Sequence, residues 1–529
     1  MRLLALVLAL LAPLAAAQAP KPGTAKATLH LVLIWDGLRP DSINAADTPN
    51  LFRLQAEGVS FEHSHAVFPT VTRVNATSLA TGTYPSRHGI MGNQIYIPAV
   101  DKVRAFSNDD HRQLLRMDEV DPGRIATAPA IAEVLEKSGQ RMIAVSSGST
   151  GSALLLAPKA PRGSGAVING DFAPGKQAAF PEWLSEEVLK RFGPAPKKGG
   201  AKDPFDASVG WQMRVLRDYV LPELKPNVVM AWLTEPDHIQ HAFGAGAAES
   251  TASIRGNDAE LGRLLQALEA RGLRERTSIF VVSDHGFGQT VHNVNVGQAL
   301  LDAGLMPAEP SSELVMASSG QTVALHVARR DPARIRALAE FLQRQPWTGV
   351  IFTAAKQGGA PHEGTVPGTF SLEFAHLGGH ERSPDLVFTF RWSSARNRHG
   401  LPGSDYNHVS AGPTGPVETS TANHGSLSPW TVRNTMVAWG PDFKRGARLR
   451  TPASNVDVAP TLLYLLGHAE ALRAMQGRPL LEALAGGPDE EQMPMETRTY
   501  RVKQADYEAL LQVSEVAASR YLDKGWRAP

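Results

Sequence analysis

Three aspartates stand just beyond apolar runs: Asp36 after LVLIW, Asp237 after VVMAWLTEP and Asp284 after IFVVS. Imidazoles accompany two of them. Asp237 and His241 are four positions apart in EPDHIQH, a spacing that puts both side chains on one face of a helical turn. His285 directly follows Asp284, and His424 in NHGSLSP repeats its His-Gly setting. Each element alone has an ordinary reading, since DxxxH pairs decorate helix surfaces and an aspartate at a strand end caps the next helix. Together, three carboxylates and three imidazoles form a nitrogen and oxygen ligand set suited to zinc. The stretch 68–93, FPTVTRVNATSLATGTYPSRHGIMGN, adds hydroxyls, a glycine-punctuated turn and an amide. Thr72 within it offers one more oxygen and a nucleophile.

The elements that must position these groups follow from the apolar pattern. TLHLVLIWD (28–36) is a near-continuous apolar run ending in an acid, the pattern of a buried parallel strand. Helix-period segments then precede strands: 128–139 before 141–147, 205–224 before 227–233, and 258–272 before 278–284. This alternation predicts an α/β fold, a mostly parallel central sheet with helices on both faces. In such sheets ligands bind outside the carboxyl ends of the strands, so the three acids are expected in one crevice. Residues 314–327 read as a hairpin about Ser-Ser-Gly, 385–390 and 434–440 as further strands, and 456–467 as a helix stopped by Gly467.

The expected organisation is a signal peptide over 1–17, a leader over 18–27, a catalytic domain over 28–485 and a C-terminal tail over 486–529. Within the domain, a Gly-, Pro- and Ser-rich stretch at about 305–420 is expected to form a cap or long loops over the sheet edge, and the charged, amphipathic tail is expected to pack peripherally. Met1 and Arg2, the apolar run LLALVLALLAPLAAA and the small residues Ala15 to Ala17 fit a secretory signal cleaved after Ala17, too short and too early for a spanning helix. No second apolar run approaches membrane length, so the mature chain is expected to have no membrane span and to be periplasmic or secreted. With 53 Lys+Arg against 52 Asp+Glu, the balance gives no reason to expect a nucleic-acid polymer as partner. With zero cysteines, disulfides, thiolate metal sites and cysteine nucleophiles are excluded.

In their order, Asp36, Thr72, Asn93, Asp237, His241, Asp284, His285 and His424 resemble the alkaline phosphatase superfamily, and within it the type I phosphodiesterase and nucleotide pyrophosphatase family. The resemblance runs from residue 28 to about 467 and includes VDVAPTLLYLLG (456–467); Thr72 and Asn93 are 21 positions apart, as that branch expects. It implies two zinc ions, with another divalent metal as the alternative. One would be held by Asp36, Asp284 and His285 and bind the Thr72 oxygen; the other would be held by Asp237, His241 and His424. It implies hydrolysis of phosphodiester or pyrophosphate bonds in a small-molecule or nucleotide substrate, through a phosphothreonine on Thr72. Asn93, with the backbone N–H after Thr72, would donate to a non-bridging phosphoryl oxygen. Thr70 and Asn75 read as turn and capping residues, and His63, His65, His88 and His238 as structural.

Departures from relatives narrow the substrate. Threonine monoesterases and phosphonoacetate hydrolases of the superfamily place cations after the strand near 145, whereas this chain reads SSGSTGSALLL (146–156), with no cation until Lys159. A diester carries one negative charge at the reacting phosphorus and needs less positive charge there, which favours diesters. Nucleotide pyrophosphatases place an aromatic after the nucleophile; here it is Arg73, which would contact a substrate phosphate or pair with a surface acid. PSR in YPSRHG echoes a sulfatase signature but follows Thr81-Gly82 rather than preceding it. The other readings are a phosphomonoesterase or phosphonate hydrolase of the same superfamily and, from another class, a non-catalytic secreted metal-binding protein.

Overall fold

Every residue of the strand Leu29–Trp35 is buried, and its side chains feed two separate cores. Leu29, Leu31, Leu33 and Trp35 pack with Leu261, Leu264, Leu265 and Leu268 of the helix Ala248–Ala270. Val32 and Ile34 pack with Ala76 and Leu79 of the helix Thr72–Thr81 and with Leu462 and Leu463 of the helix Val458–Leu465. At about 1.5–3 kcal/mol per buried aliphatic side chain, this two-sided covering is why the strand is apolar apart from His30, which meets Asp442 Oδ2 at 3.1 Å, rather than alternating.

The computed structural model describes residues 20–197, 199, 203, 205–410, 414–416 and 421–529; the expected signal peptide and the first two leader residues lie outside them. The central sheet has nine strands, in the order Ala447–Leu449, Val59–Phe61, Met436–Trp439, Thr277–Val282, Leu29–Trp35, Val228–Leu233, Met142–Ser146, Ala166–Ala173 and Gln177–Phe180. From Thr277–Val282 to Ala166–Ala173 every neighbouring pair is parallel. The chain is therefore α/β, with a large, mostly parallel sheet covered on both faces. Three adjacent parallel strands, Thr277–Val282, Leu29–Trp35 and Val228–Leu233, end on the same edge, and their exits carry Asp284, Asp36 and Asp237.

The expected helix over 205–224 is an α-helix, Ala207–Val215, that widens into a π-helical segment, Leu216–Leu224. Pro222 lies inside that segment, and a proline has no N–H to continue α-helical bonding. The helix expected at 258–272 starts earlier, at Ala248, where the residues AESTAS carry no apolar period.

Much of the stretch expected as cap or loops is sheet. Leu314–Ser319 and Thr322–Val327 form the expected hairpin and join Leu386–Phe390, Thr348–Thr353 and Phe370–Ser371 in a five-stranded sheet backed by the helix Pro332–Arg344. A second sheet, built around Gly288–Val294 and Pro402–His408, takes in Ala422–Asn423 immediately before His424. The C-terminal segment differs from a charged peripheral tail. Met495–Gln504, Tyr507–Val516 and Ser519–Arg527 form an antiparallel three-stranded sheet, and Tyr507, Ala509, Leu511, Val513 and Leu522 are buried in the third core. YEALLQVSEV alternates at the strand period of two, which also gives an amphipathic composition. Among the described residues no helix is long and apolar enough to cross a membrane.

Candidate active site

The three strand exits are stitched together by main-chain hydrogen bonds. The Asp36 N–H donates to the Leu233 carbonyl and the Asp237 N–H donates to the Asp36 carbonyl, both at 3.0 Å. Gly37 adopts φ +71°, and a Cβ there would stand 3.0 Å from the Phe287 ring; its N–H donates to Asp284 Oδ1 at 3.0 Å. A glycine is thus required beside Asp36 both for the left-handed turn and for the close approach.

Each strand-end acid keeps a buried carboxylate oxygen in reserve. Asp36 Oδ2 accepts from Trp232 Nε1 at 3.0 Å and Asp284 Oδ1 accepts from Gly37, while Asp36 Oδ1, Asp237 Oδ1 and Asp284 Oδ2 are buried with no hydrogen-bond partner among the described residues. A buried unpaired carboxylate oxygen is costly, and three together mark a place built for positive charge.

The imidazoles complete the arrangement. His241 Nδ1 lies 3.0 Å from the Ala422 carbonyl, His285 Nδ1 3.0 Å from the Gly286 carbonyl and His424 Nδ1 3.0 Å from the Thr70 carbonyl. All three rings therefore turn Nε2 toward the acids, with the main-chain support typical of metal-bound histidine. His285 Nε2 is 3.0 Å from Asp284 Oδ2 and 3.5 Å from Asp36 Oδ1; Asp237 Oδ1 is 3.3 Å from His241 Nε2 and 3.5 Å from His424 Nε2. Two compact ligand groups result, Asp36 with Asp284 and His285, and Asp237 with His285 and His424. The second differs from the expected trio in one member: His285 stacks on His424 at 3.5 Å, against 5.2 Å between the His241 and His424 rings, although His241 Nε2 is nearer Asp237 Oδ1 (3.3 Å) than His285 Nε2 is (4.0 Å). The donor set and its orphaned oxygens fit divalent metal.

Electrostatics follow from this crowding. Burial, with Asp284 and Asp237 nearby, holds the Asp36 carboxyl well above its ordinary range. Burial pushes Asp237 the same way, but His241, His424 and His285 outweigh it and bring that carboxyl below its usual range. Burial and the neighbouring His285 keep His424 well below ordinary histidine, in the neutral form a metal requires.

Thr72 is the first residue of the helix Thr72–Thr81, after Val71 in extended conformation, so its hydroxyl sits where helix amides point outward. Its Oγ1 is 3.4 Å from His285 Nε2. Thr70, the other hydroxyl nearby, donates to the Ser426 carbonyl at 2.9 Å, and Asn75 spans the Val67 and Val71 main chain. The Arg73 N–H donates to Asn93 Oδ1 at 3.2 Å, which sets the amide beside the helix start. The Arg73 guanidinium pairs with Asp109. Lys159, the first cation after residue 146, is turned to Glu133 at 2.7 Å. His65 bonds the Ala453 carbonyl and Asp523, His88 meets Ser78 at 3.1 Å, and His238 lies near Glu235; none of these joins the cluster.

Three contributors lie outside the candidate residues named from the sequence: Trp232 on Asp36, Ser319 Oγ accepting from the Asn93 N–H at 2.9 Å, and Asp109 on Arg73. Each is remote in sequence from its partner. Only the acid pair in SNDDH hints at a counter-charge.

Comparison with known proteins gives a consistent result. The family model for type I phosphodiesterase / nucleotide pyrophosphatase matches residues 30–414. A venom phosphodiesterase of Macrovipera lebetinus is 26% identical over 265 residues, 49% of this chain and 25% of the relative. The bis(5'-adenosyl)-triphosphatase ENPP4 of Pongo abelii is 26% identical over 263 residues, 49% of this chain and 47% of the relative. These matches span about a quarter to a half of the relatives' own length. Among solved structures, murine ectonucleotide pyrophosphatase / phosphodiesterase 5 aligns with a TM-score of 0.56 at 17% identity, covering 86% of this chain and 100% of that one. An inactive variant of that murine protein, in complex with AMP, aligns with a TM-score of 0.57.

Proposed function

The chain belongs to the type I phosphodiesterase / nucleotide pyrophosphatase family, and from that premise we propose that it hydrolyses phosphodiester or pyrophosphate bonds through a phosphothreonine on Thr72, with two zinc ions as cofactors. The observation that carries this reading is the convergence of three Nε2 atoms, each fixed by a main-chain carbonyl at Nδ1, on three unpartnered buried carboxylate oxygens beside the Thr72 hydroxyl.

Asp36, Asp284 and His285, with Thr72, would hold one ion, and Asp237, His241 and His424 the other. When bound, the ions supply Lewis acidity that favours the threonine alkoxide and takes up charge on the phosphoryl and leaving oxygens. The chain's own residues do the rest. Main-chain bonds at residues 36, 37 and 237 fix the acids, so little reorganisation is needed as charge develops. Thr72 Oγ1 attacks phosphorus in line with the leaving oxygen, and water later cleaves the Thr72 ester. Asn93 would donate through Nδ2 to a non-bridging oxygen, and the Arg73 N–H, which meets Asn93 Oδ1 at 3.2 Å, would turn to the same oxygen as substrate enters. Arg73 is assigned to substrate contact.

The substrate is a small phosphodiester or nucleotide, in keeping with the AMP bound by the murine relative. The stretch 146–156 supplies no cation for a dianionic monoester, and Lys159 is engaged with Glu133. The signal-like residues 1–17 assign the protein to the periplasm or the secreted fraction. Turnover of bis-p-nitrophenyl phosphate and p-nitrophenyl phosphate by the zinc-loaded protein tests the assignment. The diester is expected to be the better substrate by kcat/KM; preference for the monoester would overturn the diesterase reading, and absence of both zinc and turnover would favour a non-catalytic binding protein.

A further inference from the structure

Arg73 and Asp109 form an unequal pair. The guanidinium side chain is 13% exposed, whereas the Asp109 side chain is 54% exposed. Arg73 Nε is buried with no hydrogen-bond partner among the described residues. Asp109 is anchored by its main chain: its carbonyl accepts from the Gly151 N–H at 2.7 Å, while its carboxylate faces water. That carboxylate can turn into water at small cost, while the guanidinium beside the helix start cannot follow. A largely buried guanidinium with a spare N–H and a replaceable counter-ion favours uptake of another anion, because the fork can then form a second charge-assisted bond.

The position of the pair says which part of a substrate would meet it. The Arg73 main-chain N–H already lies on Asn93, beside the Thr72 hydroxyl. The guanidinium, on the residue after Thr72, pairs with the exposed Asp109 and also feels the carboxylates Asp36, Asp237 and Asp284. In-line attack sends the leaving group away from Thr72, so the arm that stays on phosphorus is the one within reach of this side chain. We propose that Arg73 determines specificity by receiving a second anionic group on the arm of the substrate that stays on phosphorus during attack, in exchange for Asp109. The substrate class is then a phosphodiester or diphosphate whose retained arm bears a phosphate or comparable anion. This rests on the proposed Thr72 hydrolysis.

The test uses two esters with the same leaving group, the 5'-p-nitrophenyl esters of thymidine 5'-phosphate and of thymidine 3',5'-bisphosphate. They differ by one phosphate on the retained arm. The wild-type protein should favour the bisphosphate ester in kcat/KM. In Arg73→Ala and Arg73→Gln the ratio between the esters should fall at least about 10-fold, the scale of one charge-assisted contact. In Asp109→Asn the ratio should rise, since the competing carboxylate is gone. An unchanged ratio in the Arg73 variants, an equal loss on both esters, or a fall in Asp109→Asn would overturn the proposal. A readout independent of turnover is calorimetric binding of thymidine 3',5'-bisphosphate and thymidine 5'-phosphate to Thr72→Ala and to Thr72→Ala/Arg73→Gln. The bisphosphate advantage should be present in the first and lost in the second, and its absence from Thr72→Ala would overturn the proposal. If the wild-type protein hydrolyses neither ester, the hydrolase reading fails, and this binding comparison still decides the role of Arg73.

Discussion

His424 Nδ1 lies 3.0 Å from the carbonyl oxygen of Thr70, two residues before Thr72. The segment that delivers the hydroxyl therefore also aims an imidazole 354 residues away, and Thr70 binds the same loop again through its hydroxyl on the Ser426 carbonyl. Thr70→Val removes only that second tie. One neutral hydrogen bond is worth about 1 kcal/mol, or roughly fivefold, so kcat/KM for bis-p-nitrophenyl phosphate should drop by about that factor. A thousandfold loss would make Thr70, rather than Thr72, the nucleophile.

Trp232 Nε1 is the donor that holds Asp36 Oδ2, leaving Oδ1 for the cluster. Trp232→Phe keeps the buried ring shape and deletes the donor. Supporting bonds of this kind contribute about 10–100-fold to metal affinity, and competition with a chromogenic zinc chelator should show a loss of that order. Unchanged affinity would mean that Asp36 needs no orientation.

Asp237 stands among His241, His424 and His285, whereas Asp36 and Asp284 gather on His285 alone. Asp237→Asn should reduce the zinc content from two ions to one per chain, measured by elemental analysis after gel filtration. Retention of two ions would contradict the division of ligands.

Asp457 accepts from the Arg478 N–H and from the Tyr521 hydroxyl, joining the C-terminal sheet to the central domain, and burial raises its carboxyl to about 6. A carboxyl raised in the folded state adds stability while it is protonated, and that stability is lost as pH rises through the folded value. The loss should approach about 3 kcal/mol between pH 4 and pH 7.5, at about 1.4 kcal/mol per unit. Urea unfolding of wild-type protein and Asp457→Asn across this range should show the wild type losing ground to the variant as pH rises. A constant difference would place the Asp457 carboxyl at its ordinary value.

The strands at 29–35, 228–233 and 277–282 were legible because burial on both faces demands near-continuous apolar residues, and the acids beyond them because strand ends in such sheets face the ligand. Thr72 and His285 were legible by type and neighbourhood. What escaped is held by long-range contacts without periodicity. Trp232 reads as one more apolar residue of its strand, yet bonds Asp36 from 196 positions away; Ser319 reaches Asn93 from a hairpin tip 226 positions away. The C-terminal sheet escaped for another reason: its strands carry charges on the solvent side, so composition alone reads as a tail, and only Tyr507, Ala509, Leu511 and Val513 at alternate positions give it away.

The most direct test of the account is kcat/KM for bis-p-nitrophenyl phosphate in Thr72→Ala, with zinc measured on the same sample. Asp36, Asp284 and His285 remain to hold the adjacent ion, so the metal content should stay at two per chain while kcat/KM falls at least about 1,000-fold, the scale on which loss of a covalent nucleophile is felt. Turnover within about tenfold of wild type, at full zinc content, would contradict the phosphothreonine route.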